Sequence, residues 1–436
     1  MKFEVDNQTL NDLEIFERYK EEKSVHSLFD NTQSLGGWKK IYHYLSTPTT
    51  DLLEITDRKD AISFLQSNFP SGLTIDKDAL SFSEYYIKQG NYPIKPPSRF
   101  IAIERKLVDR ISLAKDYYMA EKGVNSTLIL LKTIYLFSKR LGEKLKETAD
   151  APRLLVKFND EAQRLLAKPQ FEKINEFKRL KAYDIAVYDY TFRNTNKEDI
   201  KYILNLIYEY DAFFSIAQAA EKYHFSYPEV LPESDNFLEI EGLFHPFIEK
   251  AVSNDVCFDG NSNLLFITGP NMAGKSTFLK ALAVSVYLAH AGFPVPASKM
   301  KLSVLSGLCT TINISDNLSS GYSHFYAEVM RIKDVANRLK QKNNMLVLFD
   351  ELFRGTNVKD AYDGTLAIVS AFDKIKTSFF VISTHIVEVA NELGKKANIN
   401  FSYFEVREQD GHPAYTYKLR EGVSDVRLGM YIIERE

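Results

Sequence analysis

Cysteine is scarce: only Cys257 and Cys309 occur in 436 residues. Two thiols cannot staple a chain of this length, so its stability must come from apolar cores. Such scarcity fits a reducing compartment. Long apolar runs are missing as well. The most apolar stretch, Leu128 to Phe137, is broken by Lys132 and is too short to span a bilayer. The N-terminal MKFEVDNQTLNDLE is acidic and has no apolar segment of the kind that a secretory signal requires. A cytoplasmic protein without membrane contact is the expectation. Neither sign of charge dominates: 55 Lys and Arg stand against 58 Asp and Glu, a net charge of −3. That balance excludes a protein that coats nucleic acid by bulk charge, although it leaves room for a local basic groove.

Hydrophobic residues make up 45% and charged residues 26%, an ordinary globular composition, and the length suits two or three domains. Up to about residue 230 the pattern is helical. Ile200, Ile203, Leu204, Ile207 and Phe214 recur at helical spacing, with Asn196 as a candidate N-cap. Leu128, Leu131, Ile134, Leu141 and Leu145 form a second stripe of this kind. Past about residue 235 the pattern changes to short, wholly apolar runs: LLFIT at 264–268, MLVLF at 345–349 and FFVIS at 379–383. Runs of this length and composition read as strands buried on both faces, and the helical patterns between them imply a largely parallel sheet. The fold class expected is therefore α plus α/β, an all-helical domain over 1–235 followed by an α/β domain over 236–436. The proline-containing SYPEVLPESDN at 226–236 marks the boundary.

The first apolar run leads into GPNMAGKST, residues 269–277. Gly269, Gly274, Lys275 and Ser276 match G-x-x-x-x-G-K-S, with a strand before it and helical sequence after it. Glycines at those positions permit a tight loop whose amides converge on phosphate oxygens. The helix that follows presents its positive end to the same anion. Lys275 adds a full charge near the β- and γ-phosphates, and the Ser276 hydroxyl can coordinate Mg²⁺. The plainer alternative, a glycine-rich turn that binds nothing, must explain four fixed identities in the right setting.

Three further segments bear on that loop. MLVLF ends in Asp350-Glu351, and carboxylates at the carboxyl end of a buried strand project beside the loop. Asp350 would hold Mg²⁺, and Glu351 would orient or deprotonate the attacking water. Alone, the pair could equally be acids where a strand meets solvent. FFVIS leads to Thr384 and His385, and His385 is read as a sensor of the γ-phosphate or its water, against the usual structural histidine. Ser319-Ser320-Gly321-Tyr322-Ser323 opens a helix, and by itself reads as an N-cap.

Together these segments resemble the MutS family of DNA mismatch-repair ATPases. GPNMAGKST is similar to the family's GPNMGGKST, with Ala273 in place of glycine. LVLFDELFRGT resembles LVLxDEIGRGT, STH at 383–385 resembles (A/S)TH, and SSGYSHFYAE resembles SGxSTFxxE. The segment from Gly422 to Gly429 resembles GVAxxSYG. In the N-terminal half, VDNQTLNDLEI at 5–15 resembles LDxxTxxNLEL, and SLFDNTQSLGGWKKIYHYLSTPTTD at 27–51 resembles LLDxTxTxMGxRxLxxWLxxPL.

The resemblance implies a helical core and lever region over 1–235, with its DNA-gripping clamp reduced or absent, and an ABC-type P-loop ATPase domain over 236–436. It implies an ATPase with ATP and Mg²⁺ as cofactors. Gly269, Pro270, Asn271, Met272, Ala273, Gly274, Lys275, Ser276 and Thr277 would bind nucleotide, Ser276 and Asp350 the metal, and Lys275, Glu351 and His385 would be catalytic. Ser323 would approach the γ-phosphate of a second subunit, so that ATP joins a homodimer. Val256, Cys257 and Phe258 are candidates to flank the adenine, with core packing the equal alternative. No segment matches a mismatch-reading domain; Phe82-Ser83-Glu84 fits the family's Phe-x-Glu tripeptide but falls within helical sequence and is best taken as chance. The expected partner is DNA, recognised by structure rather than by sequence or mismatch. Lys139-Arg140 and Lys178-Arg179-Lys181 are basic clusters that also suit solvated helix faces. An ATP-driven switch that binds protein partners without DNA is the alternative, and a small-molecule kinase is a third reading, disfavoured by Glu351 and the Ser323 segment.

Overall fold

The computed structural model describes residues 2–17, 23–90, 93, 95–100, 102–104, 106, 116–171, 180–259, 262–312, 324–353, 355–394, 398–409 and 412–423. The N-terminal stretch forms β1 (Glu4–Val5), α1 (Asn7–Asp12) and α2 (Val25–Phe29). Helices follow: α3 (Leu35–Ser46), α4 (Leu52–Asn68), α5 (Lys77–Lys88), α6 (Asp116–Glu147), α7 (Arg153–Leu166), α8 (Ala182–Tyr190) and α9 (Lys197–Tyr223). Beyond them come β2 (Glu229–Leu231), β3 (Leu238–Leu243), β4 (Asn254–Phe258), β5 (Leu264–Thr268), α10 (Lys275–His290), β6 (Lys299–Ser303) and β7 (Gly307–Thr311). The remaining elements are α11 (His324–Gln341), β8 (Met345–Asp350), α12 (Val358–Phe372), β9 (Phe379–Thr384), α13 (Val387–Leu393), β10 (Ile399–Gln409) and β11 (His412–Glu421).

Two compact units emerge. One comprises Met1–Phe29, Tyr44–Lys59 and Ala219–Glu436; the other comprises Asp30–His43 and Asp60–Gln218. The division is interleaved along the chain, whereas the sequence reading places one boundary within 226–236. Within the first unit the reason is visible. β1 pairs in parallel with β7, Glu4 opposite Gly307, and so extends the sheet of the C-terminal half.

That sheet has seven strands in the order β1-β7-β8-β9-β5-β10-β11. Every neighbouring pair is parallel except the antiparallel β10–β11 hairpin. β5, β8 and β9 are the three apolar runs, and every residue in each is buried, as strands covered on both faces require. Leu264, Phe266, Val347, Phe349, Phe380 and Ile382 face a core shared with Val369 and Phe372 of α12. Phe372 stacks on Phe349 and Phe380 at centroid distances of 5.8 and 4.9 Å. Each such fully buried side chain contributes roughly 2 kcal/mol relative to exposure. A second, four-stranded sheet runs β2-β6-β3-β4.

The helical unit is built on the stripes read from the sequence. Leu128, Leu131, Ile134, Leu141 and Leu145 of α6 are buried, and so are Ile200, Ile203, Leu204, Ile207 and Phe214 of α9. Asn196 stands directly before α9, as expected, and its carbonyl accepts the Ile200 amide at 3.1 Å, but its carboxamide oxygen accepts from Thr195 Oγ1 at 3.1 Å rather than from a helix amide. A π-helical turn over Thr191–Thr195 leads into it. That turn buries Arg193 on Asp189, which also accepts from Tyr86 Oη at 2.6 Å. Phe82-Ser83-Glu84 lies in α5 and is engaged inside this unit. Ser83 Oγ is 2.9 Å from Thr127 Oγ1, and Glu84 accepts from Tyr208 Oη at 2.6 Å. Lys139 and Arg140 are exposed on α6. Lys178 and Arg179 lie outside the described residues.

Candidate functional site

β5 ends at Thr268 and α10 begins at Lys275, so the glycine-rich turn is the link between a buried strand and a helix. Gly269 (φ 145°) and Gly274 (φ 109°) take backbone angles that L side chains rarely adopt. A Cβ on Gly274 would also lie 3.3 Å from Tyr417 Cδ1. Met272 is left-handed too (φ 66°) and leaves its side chain 81% exposed. No side chain caps the start of α10, so its first amides face the turn.

The charged groups converge here. Lys275 is 4% exposed, and its Nζ donates to the carbonyls of Gly269 (2.8 Å) and Pro270 (3.0 Å). It also lies 3.4 Å from Glu351 Oε1. A buried ammonium requires such partners. Ser276 Oγ donates to Asp350 Oδ2, and Ser383 Oγ donates to Asp350 Oδ1. Asp350 closes β8 directly opposite Ser383 of β9. Glu351 then turns out of the strand with φ 53°, its amide held by the Ser383 carbonyl at 3.0 Å. His385 is exposed just past β9, with Nδ1 3.8 Å from Glu351 Oε2. Three neighbouring strands thus gather Lys275, Ser276, Asp350, Glu351 and His385 around one turn. Ser323 lies outside the described residues, as does the segment from Ser424 onward.

A cavity of about 590 Å³ opens beside the turn. Asn271, Met272, Gly274, Lys275, Ser276, Thr277 and Glu351 line its polar side; Leu243, Phe244, Ile248, Val252, Phe404 and Tyr417 give an apolar side. The adenine-flanking candidates Val256, Cys257 and Phe258 do not line it. Phe258 is 1% exposed and packs on Phe379 instead, because alternate residues of β4 point into the core. The apolar walls come from the segment between β3 and β4 and from the β10–β11 hairpin, which the sequence reading missed. Tyr417 is left-handed (φ 55°) within β11, opposite a register shift between Phe404 and Val406. Asn254 fastens this irregularity: its Nδ2 donates to the Tyr417 carbonyl at 3.0 Å and its Oδ1 accepts from the Leu419 amide at 2.7 Å. No sequence signal marks such a bulge. His245 also lines the cavity, and burial, with the nearby Lys280 charge adding to it, pulls its pKa down to about 4.

The donors suit a magnesium triphosphate. Ser276 and Asp350 offer only oxygen ligands, which a hard, water-retaining cation requires. The ammonium and the open helix end suit the phosphates.

Fold and site together define an α/β protein with a glycine-rich, lysine-bearing turn set against a paired acid. Residues 265–435 match the family model described as MutS domain V. The DNA mismatch repair protein MutS of Geobacillus sp. (strain WCH70) is 30% identical over 311 residues, 69% of this chain and 35% of that protein. The MutS of Lysinibacillus sphaericus (strain C3-41) is 29% identical over 321 residues, 70% of this chain and 35% of its own length. That of Carboxydothermus hydrogenoformans is 31% identical over 243 residues, 54% and 28% respectively. The chain belongs to the MutS family and spans about a third of the length of the curated relatives it matches. Among the described residues no helix is long and apolar enough to cross a membrane.

Proposed function

We propose that the chain binds ATP with Mg²⁺ at this turn and hydrolyses it, and that it couples this cycle to DNA as a homodimer. The observation that carries the reading is the side-by-side arrangement of Lys275 with Glu351 and of Ser276 with Asp350. The triphosphate lies along the amides of residues 269–277, and its base enters the apolar side of the cavity between Val252 and Tyr417. Lys275 exchanges its carbonyl partners for phosphate oxygens. Ser276 and Asp350 would hold Mg²⁺, which when bound neutralises charge on the β- and γ-phosphate oxygens. Glu351 accepts a proton from the attacking water, and His385 orients that water. The γ-phosphate leaves as inorganic phosphate.

The relatives' name supports DNA as the partner, and the Ser323 segment supports a second copy of the chain completing the site. Phosphate release, measured with and without homoduplex, mismatched and four-way DNA, tests the reading. Turnover should fall at least about a hundredfold in Lys275→Ala and in Glu351→Gln. Glu351→Gln should still bind ATP and sediment as a dimer in its presence. Turnover unchanged in Lys275→Ala would overturn the ATPase reading. A DNA response absent for every structure would leave the ATP-driven, protein-binding switch in its place.

A further inference from the structure

Ser383 stands outside the residues that touch nucleotide or metal in the reading above, yet it makes two contacts at the centre of the site. It is fully buried in β9, between the strand that carries Asp350 and the strand that leads into the glycine-rich turn. Its hydroxyl donates to Asp350 Oδ1, and its carbonyl accepts the Glu351 amide. The other carboxylate oxygen, Oδ2, receives the Ser276 hydroxyl.

We infer that Ser383 is a positioning residue: it fixes the Asp350 carboxylate so that Oδ2 alone faces the divalent cation. This rests on the reading of the site as one for ATP and Mg²⁺. A carboxylate rotates about its last bond between two equivalent faces unless one oxygen is tied. A hydroxyl donating to an anion is a strong tie, and it holds the Asp350 carboxylate aimed while Ser276 turns from Asp350 to the metal. Without it, Asp350 Oδ1 loses a strong donor in a buried setting, and the carboxylate is freer to turn. The two contacts of Ser383 are also separable. A side-chain substitution removes the tie to Asp350 but leaves the backbone bond that holds Glu351. Metal dependence should therefore suffer while the position of the base does not.

The experiment uses the full chain in a Glu351→Gln background, where bound ATP persists. A fluorescent ATP analogue is titrated in EDTA and across a range of Mg²⁺, and Mn²⁺ occupancy is followed by electron paramagnetic resonance. Ser383→Ala should leave affinity in EDTA within twofold and raise the Mg²⁺ and Mn²⁺ concentrations required by roughly tenfold, the usual cost of losing a group that orients a metal ligand. The near-isosteric Ser383→Cys, a weak donor, should do the same, and Ser383→Thr should keep the parent's requirement. With Glu351 restored, Ser383→Ala at saturating Mg²⁺ should keep kcat within threefold. A Ser383→Ala or Ser383→Cys protein with the parent's metal requirement would overturn the proposal, as would a folded Ser383→Thr protein needing tenfold more Mg²⁺. Failure of the parent itself to bind nucleotide would instead sink the reading of the site on which this rests.

Discussion

Tyr417 combines a left-handed backbone with a ring packed beside Gly274, at the edge of the cavity. A non-glycine residue at such an angle costs about 1 kcal/mol, and the two hydrogen bonds from Asn254 hold it there. If the ring forms one face of the base site, Tyr417→Ala should weaken ATP binding about three- to tenfold, the loss of one aromatic stack. Tyr417→Phe should bind as the wild type does, and neither should change kcat at saturating ATP by more than twofold. Competition titration against the fluorescent analogue measures this, and equal affinity in Tyr417→Ala would remove the ring from the base site. At this scale the sequence is uneven. The meeting of Lys275, Ser276, Asp350 and Glu351 at one turn is legible because the motifs that carry them have fixed residue types at fixed spacing. Tyr417 and Ser383 are not, since their settings arise from a strand irregularity and from a partner across the sheet, neither of which leaves a local pattern.

Among the elements, those with a long apolar signal were the ones that could be read. β5, β8 and β9 coincide with the three apolar runs to within a residue, and α6 and α9 with the two helical stripes. β1 escaped because two residues cannot display a period, and its place at the sheet edge is set by contacts some 300 residues away. Those contacts are specific. Asp12 is 2% exposed at the end of α1, and its Oδ2 accepts from Thr310 Oγ1 at 2.7 Å and from the Ile312 amide at 3.0 Å. Thr9 Oγ1 accepts the Thr310 amide at 2.9 Å. The arm over β1 and α1 is thus a working edge of the C-terminal sheet. Asp12→Ala leaves a buried amide and a hydroxyl without their acceptor and should cost about 1–3 kcal/mol. A lowered thermal midpoint, with greater amide exchange along β7, would register the loss. An unchanged midpoint would mean that the arm is dispensable to the sheet.

At the scale of the whole chain, a net charge of −3 is too small for general repulsion to govern stability near neutral pH, so individual buried groups should. His290 is the clearest. It is fully buried at the end of α10, stacked on Phe3 at 4.0 Å, and its Nε2 accepts the Leu305 amide at 2.9 Å. Burial pulls its pKa down to about 4 from the ordinary 6.5, so it folds as the neutral ring. In the unfolded chain the same ring takes up a proton as the pH falls below about 6.5. The unfolded state therefore binds the extra proton between about 6.5 and 4, and stability is complete above that window and drains away on going down through it. Between pH 7 and pH 5 the loss from His290 comes to roughly 2 kcal/mol. His245, pulled down to about 4 as well, adds a loss of the same sign and similar size. Exchange protection of the α10 amides, corrected for the intrinsic rate at each pH, should show this decline. In His290→Gln, which cannot be protonated, the starting stability is lower, but the slope between pH 7 and pH 5 should shrink by up to about half. If the variant kept the full slope, the acid sensitivity of this unit would belong to its carboxylates and not to the buried ring at the end of α10.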